Sequence, residues 1–249
     1  MSRLALGLVL ALLLFVSLSM SAPARLLALF LPEQQVHMAG FTGTIWRGAA
    51  SRCLVRAGGG YLHLGAVQWR LSPLSLATLS PHLTVSSEWG RQRLAGDVVV
   101  RGEGDFDLHD FEASLEADLV RQFAPVSLAG TFNALFAELV VRDGLPVRGR
   151  GRLVWQDGAW DSPQGFLPLG SYALDVAPLS GGGLGGEVLP LAGPVAAQGS
   201  VELQGRAYSV DILVGGSGAL NPQIERALSL IAAPEAGGYR VLLQGEFQG

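Results

Sequence analysis

Hydrophobic and polar positions fall into two regimes along the chain. Residues 4–22 read LALGLVLALLLFVSLSMSA, nineteen positions without a charge. A helix of that length reaches about 28 Å, close to the roughly 30 Å hydrocarbon core of a bilayer. The run therefore predicts one membrane span. A cleaved signal peptide is the competing reading, because the run is N-terminal and follows a single basic residue, Arg3. Ser19 and Ser21 offer a poor cleavage site, and a cut after Ala22 would leave Pro23 beside it and Met20 where a small side chain is needed. The pattern favours a retained anchor at 4–22, with 1–3 as a cytoplasmic stub, 23–35 as a linker and 36–249 as one exported domain.

Beyond the linker the period changes to two. In Phe111-Glu-Ala-Ser-Leu-Glu-Ala-Asp-Leu119 every odd position is apolar and every even one polar, the pattern of a half-buried strand. A helix can also be drawn through Leu108, Phe111, Leu115 and Leu119; the strict alternation selects the strand. Further strands are predicted at 43–55, 61–71, 82–88, 94–101, 128–141, 147–155, 171–176, 195–204, 207–214 and 239–247, bounded by Gly-Gly, Asp-Gly or Pro. Short helices are predicted at 74–79 and at 222–233, the second after the turn-forming Asn221 with Ile224, Leu228 and Ile231 on one face. A loose repeat, Gly43-Thr44, Gly96-Asp97, Gly130-Thr131, Gly199-Ser200 and Gly245-Glu246, places a glycine at the predicted mouth of successive strands. The expected fold is mainly β: an N-terminal transmembrane helix, then a meandering, mostly antiparallel, curved sheet with two short helices, wet on one face.

Composition narrows the function. Charged residues are 15% and apolar residues 49%, too apolar for a disordered chain. The 34 glycines and 13 prolines fit many short strands joined by tight turns. There is no lysine, which removes Walker A loops, Schiff-base chemistry and any catalytic lysine. A net charge of −4 gives no electrostatic support for nucleic-acid binding. The lone Cys53 allows no internal disulfide.

Candidate chemistry is thin. Gly181-Gly-Gly183-Leu-Gly-Gly186 satisfies a dinucleotide fingerprint formally, but Pro190 stands where a helix should open, so the stretch reads as a flexible loop. Asp105, Asp107 and His109 share one strand face and could hold a cation, yet they lack the glycine and distal glutamate of a calcium loop and read as a solvated face. His37, His63 and His82 stand isolated. Ser217 has Gly215 before it but Ala219 where a hydrolase elbow needs its second glycine. Cys53 reads as a small buried side chain rather than a reactive thiol, and Trp46, Trp69, Trp89, Trp155 and Trp160 as core or sheet-covering residues. No catalytic, cofactor-binding or metal-binding residue is predicted.

Gly40-Phe-Thr-Gly43-Thr44-Ile-Trp46-Arg-Gly48-Ala-Ala50, a short distance after the predicted span, resembles the G-x-x-G-T-x-W-x-G-x-A signature of the type II secretion system protein N family. Trp69-Arg-Leu-Ser-Pro73, Gly149-Arg-Gly-Arg-Leu-Val-Trp155, Leu169-Gly-Ser-Tyr172 and Gly238-Tyr-Arg-Val-Leu-Leu-Gln-Gly245 resemble its later motifs in order. The resemblance implies a non-enzymatic, single-pass inner-membrane component with a periplasmic β domain, other secretion subunits as partners, and no cofactor. On it Gly40, Gly43, Thr44, Trp46, Gly48, Trp69 and Trp155 are structural motif residues. An alternative of another class is an AsmA-like envelope protein that binds lipid along an apolar β groove; a filled core would favour the scaffold, a continuous exposed apolar strip the lipid binder.

Overall fold

The computed structural model describes residues 14, 17–29, 31, 35–57, 60–77, 79–102, 104–122, 126–162, 165–216, 218 and 220–247. Most of the predicted anchor, 4–13 together with 15 and 16, lies outside the described residues. Among the described residues no helix is long and apolar enough to cross a membrane.

The chain divides into two compact units, Met1–Trp89 and Gly90–Gly249. In the first, β1 (Val36–Gly43), β2 (Arg47–Ala57), β3 (Gly60–Leu71) and β4 (His82–Trp89) form an antiparallel meander, with the short helix α1 (Pro73–Ala77) between β3 and β4. In the second, β5 (Gln92–Gly102), β6 (Asp105–Glu116), β7 (Leu128–Arg142), β8 (Leu145–Ser162), β9 (Gly165–Pro178), β10 (Leu184–Ala192), β11 (Val195–Gln204) and β12 (Ala207–Gly216) pair antiparallel in chain order. Then α2 (Pro222–Leu228) and β13 (Ala233–Glu235) intervene, and β14 (Gly238–Glu246) inserts between β12 and β13. Hairpins dominate because nearly every strand end carries the glycine or aspartate that a tight reversal needs, as at Asp143-Gly144, both with positive φ.

Alternation sorts the faces. In the first unit Phe41, Ala50 and Val67 form one register row and Gly43, Gly48, Trp69 and Val85 the next, all on the apolar face. A 3₁₀ turn, Ala24–Leu29, covers it, with Ala24 buried and Leu27 packed against Ala50 and Trp69. The opposite face carries Thr42, Gln68 and Ser86 in register. The inward set switches parity along β1, from Val36 and Met38 to Phe41, across Gly40 at φ +70°. Gly65 at φ +68° does the same for β3, and Cys53, opposite both Met38 and Gly65, is buried there. In the second unit Leu153, Leu174, Val188, Ile212 and Val241 form one apolar row from β8 to β14. Its polar face is laced by ion pairs such as Arg152 with Asp175 at 2.5 Å and Arg240 with Asp211 at 2.7 Å.

Several expectations are corrected. The predicted strand 43–55 is divided: β1 ends at Gly43, residues 44–46 turn the chain, and β2 begins at Arg47. Ile45 extends the odd-numbered inward set of β1 and Trp46 the even-numbered set of β2, which hides the reversal from a period-two reading. The glycines of the loose repeat mostly sit inside strands rather than at their mouths, and Gly96 and Gly130 mark bulges. The stretch 181–186 is only half a loop: Gly182 and Gly183 turn with positive φ, while Gly185 and Gly186 lie in β10 against the side chains of Leu179 and Leu174. The second helix stops at Leu228; Leu230 and Ile231 are exposed, so no packing surface supports a last turn. Its start follows the prediction, with Asn221 Oδ1 accepting from Gln223 N at 2.8 Å.

Candidate functional site

The predicted motif residues converge on the β1–β2 turn. Gly43 adopts φ +81°, a conformation that favours glycine, and a Cβ there would meet Arg47 O at 2.5 Å. Thr44 closes the turn twice over: its N–H donates to Arg47 O at 2.9 Å, and its hydroxyl accepts from Arg47 N at 3.2 Å. This leaves Ile45 and Trp46 at the tip. β3 then takes up the tip's carbonyls, with Trp69 Nε1 donating to Ile45 O at 3.1 Å and Leu71 N to Trp46 O at 2.8 Å. Gly48 has no side chain because the Trp69 ring occupies its place. Gly40 faces Ser51, whose hydroxyl a Cβ would strike.

The outer side of the same turn grips the last residues of the apolar run. Trp46 Nε1 donates to Ser19 O at 2.8 Å, Ile45 N donates to Ala22 O at 3.0 Å, and Pro23 bridges Thr44 as an isolated antiparallel pair. Three contacts within five residues, followed by burial of Ala24, fix residues 19–24 to the first unit. A cavity of about 560 Å³ opens beside the grip, lined by Met20, Trp46, Arg47, Arg70, Leu71 and Pro73 among others.

Trp155 belongs elsewhere. In the second unit it donates to Ala129 O at 3.1 Å, stacks on Phe132 at 5.7 Å and covers Gly158. Trp69 is buried, whereas Trp46, Trp155 and Trp160 are half-buried. Trp89 departs from the core reading: it is 50% exposed and stacks on His63 at 5.2 Å.

The Asp105, Asp107 and His109 face forms in β6, but its carboxylates are engaged. Asp105 Oδ1 accepts from Asp143 N at 2.8 Å. Asp107 is buried rather than solvated, with Arg101 at 2.9 Å and Arg142 at 2.6 Å. Burial pulls the Asp107 carboxyl upward, but hydrogen bonds from Arg142 and Arg101 and their charges together outweigh it and hold it below the usual carboxylate range. Among the described residues no group of three or more His, Cys, Asp or Glu is placed to hold a metal ion. Burial pushes the Cys53 thiol up to about 11. It likewise raises the Tyr172 phenol to about 12, and that hydroxyl donates to Val195 O at 2.9 Å.

Two features escape a reading of the sequence. Ser19 and Ala22 act through backbone carbonyls, which carry no residue signature. Arg47 and Arg70 become neighbours only through the β2–β3 register.

Comparison with known proteins places these motifs in context. The family described as Type II secretion system (T2SS), protein N matches residues 34–242. The chain is also similar to a Type II secretion system protein N from Klebsiella pneumoniae, 28% identical over 175 residues. That similarity covers 68% of this chain and 65% of the relative, so somewhat under two thirds of the relative's length is spanned. No solved structure matches the chain.

Proposed function

This chain belongs to the type II secretion system protein N family, and we propose that it acts as a non-enzymatic component of the type II secretion apparatus at the inner membrane. On this reading residues 4–22 are a single membrane anchor, 1–3 stay cytoplasmic, and residues 36–249 stand in the periplasm and dock other subunits of the apparatus. The observation that carries it is the family match across residues 34–242, which spans both β units. The grip of Trp46 and Ile45 on Ser19 and Ala22 supports the anchored arrangement, because it joins the β unit directly to the end of the apolar run. A long hinge would let the sheet wander; with residues 4–22 as the anchor, this contact keeps the sheet next to the end of the span. The exposed strand edges supply backbone donors and acceptors for subunit docking.

The test is in cells. Deleting the gene should reduce export of folded periplasmic substrates, and a photo-crosslinker at the exposed position Tyr61 should trap secretion subunits. The chain should also stay with membranes after a carbonate wash. Undiminished secretion, or recovery of a soluble form beginning near Ala22, would contradict the reading.

A further inference from the structure

Arg47 on β2 and Arg70 on β3 are direct register partners on the polar face of the first unit. Side chains so placed have Cβ atoms about 5 Å apart, and like charges in that position repel. Among the described residues neither guanidinium makes a hydrogen bond or an ion pair, and no acidic residue lines either hollow they share. One is the cavity of about 560 Å³ beside the grip; the other, about 450 Å³, is bordered by Thr42, Gln68 and Ser86. Two uncompensated planar donors flanked by hydroxyl and amide groups are suited to an oxyanion with several acceptor oxygens.

The surroundings distinguish a lipid from a free anion. The first hollow has an apolar wall of Met20, Trp46, Leu71 and Pro73. At its rim Pro73 opens α1; Leu74 on α1 and Leu79 beyond its end are 82% and 88% exposed. Met20, near the end of the apolar run, is 65% exposed. Large side chains this exposed, one lining a cationic hollow and two on the segment between its lining residues Pro73 and His82, are of the kind that settles into a bilayer's interfacial layer.

We propose that Arg47 and Arg70 bind the phosphate of an anionic phospholipid headgroup, with Leu74, Leu79 and Met20 dipping into the acyl boundary. This rests on the reading of residues 4–22 as an anchor, which brings the hollow to the membrane surface. It gives the first unit a fixed stance on the bilayer in addition to the tether.

The experiment uses the full chain purified in a neutral detergent and titrated calorimetrically with dihexanoyl phosphatidylglycerol, dihexanoyl phosphatidylcholine and inorganic phosphate. Phosphatidylglycerol should bind well above the other two. R47Q/R70Q should weaken that binding about 30-fold, on the order of fivefold per arginine near an anionic surface. R47K/R70K, which keeps the charge, should retain most of it. The melting temperature of R47Q/R70Q should hold or rise, because a repulsion is removed; a purely structural pair would lower it. Equal binding of the two lipids, phosphate binding as tightly as phosphatidylglycerol, or unchanged affinity in R47Q/R70Q would overturn the site. Carbonate extraction of the same chain reports the anchor separately. A chain that is released yet still prefers phosphatidylglycerol sinks the anchor and leaves the site, and a chain that is retained without the preference does the reverse.

Discussion

Gly48 lies beneath the ring of its register partner Trp69: a Cβ built on the glycine would stand 2.5 Å from Trp69 Cζ2, with Thr44 O at 2.7 Å. The indole fills the volume that a side chain at 48 would need, and its N–H is committed to Ile45 O. Gly48→Ala should therefore act as an overpacking change and cost about 1–3 kcal/mol. Trp69→Ala empties the same volume and should cost about 3–5 kcal/mol. Because both substitutions spoil one contact, the double variant should lose less than the two single losses added. Thermal melting of the four proteins decides it, and strict additivity would show that the ring does not depend on the glycine.

Trp46→Phe keeps a ring at the turn but removes the indole N–H, leaving Ser19 O without that donor. A lost hydrogen bond of this kind costs about 0.5–1.5 kcal/mol, or roughly a 2- to 12-fold rise in the population of the released segment. Arg25 directly follows the gripped residues and is exposed, so trypsin should cut after it faster by that factor in the full chain. The melting temperature of the strands should move little by comparison. Unchanged cleavage at Arg25 alongside a large drop in melting temperature would make Trp46 a packing residue and not a tether.

The strands were legible wherever alternation ran uninterrupted and a glycine or aspartate closed it. β7, β11 and β12 fall within two residues of the predicted bounds. Legibility failed where one residue type served two roles. Trp46 holds another part of the chain through its indole, and beside the apolar Ile45 it makes their turn imitate a strand. Gly185 and Gly186 are small because Leu179 and Leu174 lean over them, so their strand imitates a loop. At the site, Gly43, Thr44, Trp46, Gly48 and Trp69 could be picked out through family resemblance. Their contacts could not, since these run to the carbonyls of Ser19 and Ala22 and depend on the β2–β3 register.

Cys53 is 1% exposed, and burial pushes its thiol up to about 11. At pH 8 the thiolate fraction is then about one in a thousand, so native protein should resist Ellman's reagent and react fully once unfolded. Cys53→Ala should be tolerated better than Cys53→Ser, which buries a hydroxyl opposite Met38 and Gly65 without an assigned partner. Rapid labelling under native conditions would mean that the parity switch around Gly40 and Gly65 opens readily.

Asp107 provides the last and most condition-dependent expectation. Its carboxyl is 10% exposed and bridges Arg101 and Arg142, which are 46% and 35% exposed. Its desolvation is thus offset by charges that water partly screens, which keeps the net stabilisation to about 1–2 kcal/mol for Asp107→Asn. A carboxyl held below its ordinary value of 3.8 stabilises the fold at pH values above about 4, and that contribution is lost as the pH falls through the lower native value. Wild type should therefore lose stability on acidification below pH 4 more steeply than Asp107→Asn, whose side chain cannot titrate. Near neutrality the variant should be the less stable of the two, and the curves should converge as the pH falls through that range. Chemical denaturation at several pH values measures both curves; parallel curves would mean that Asp107 contributes nothing through its charge.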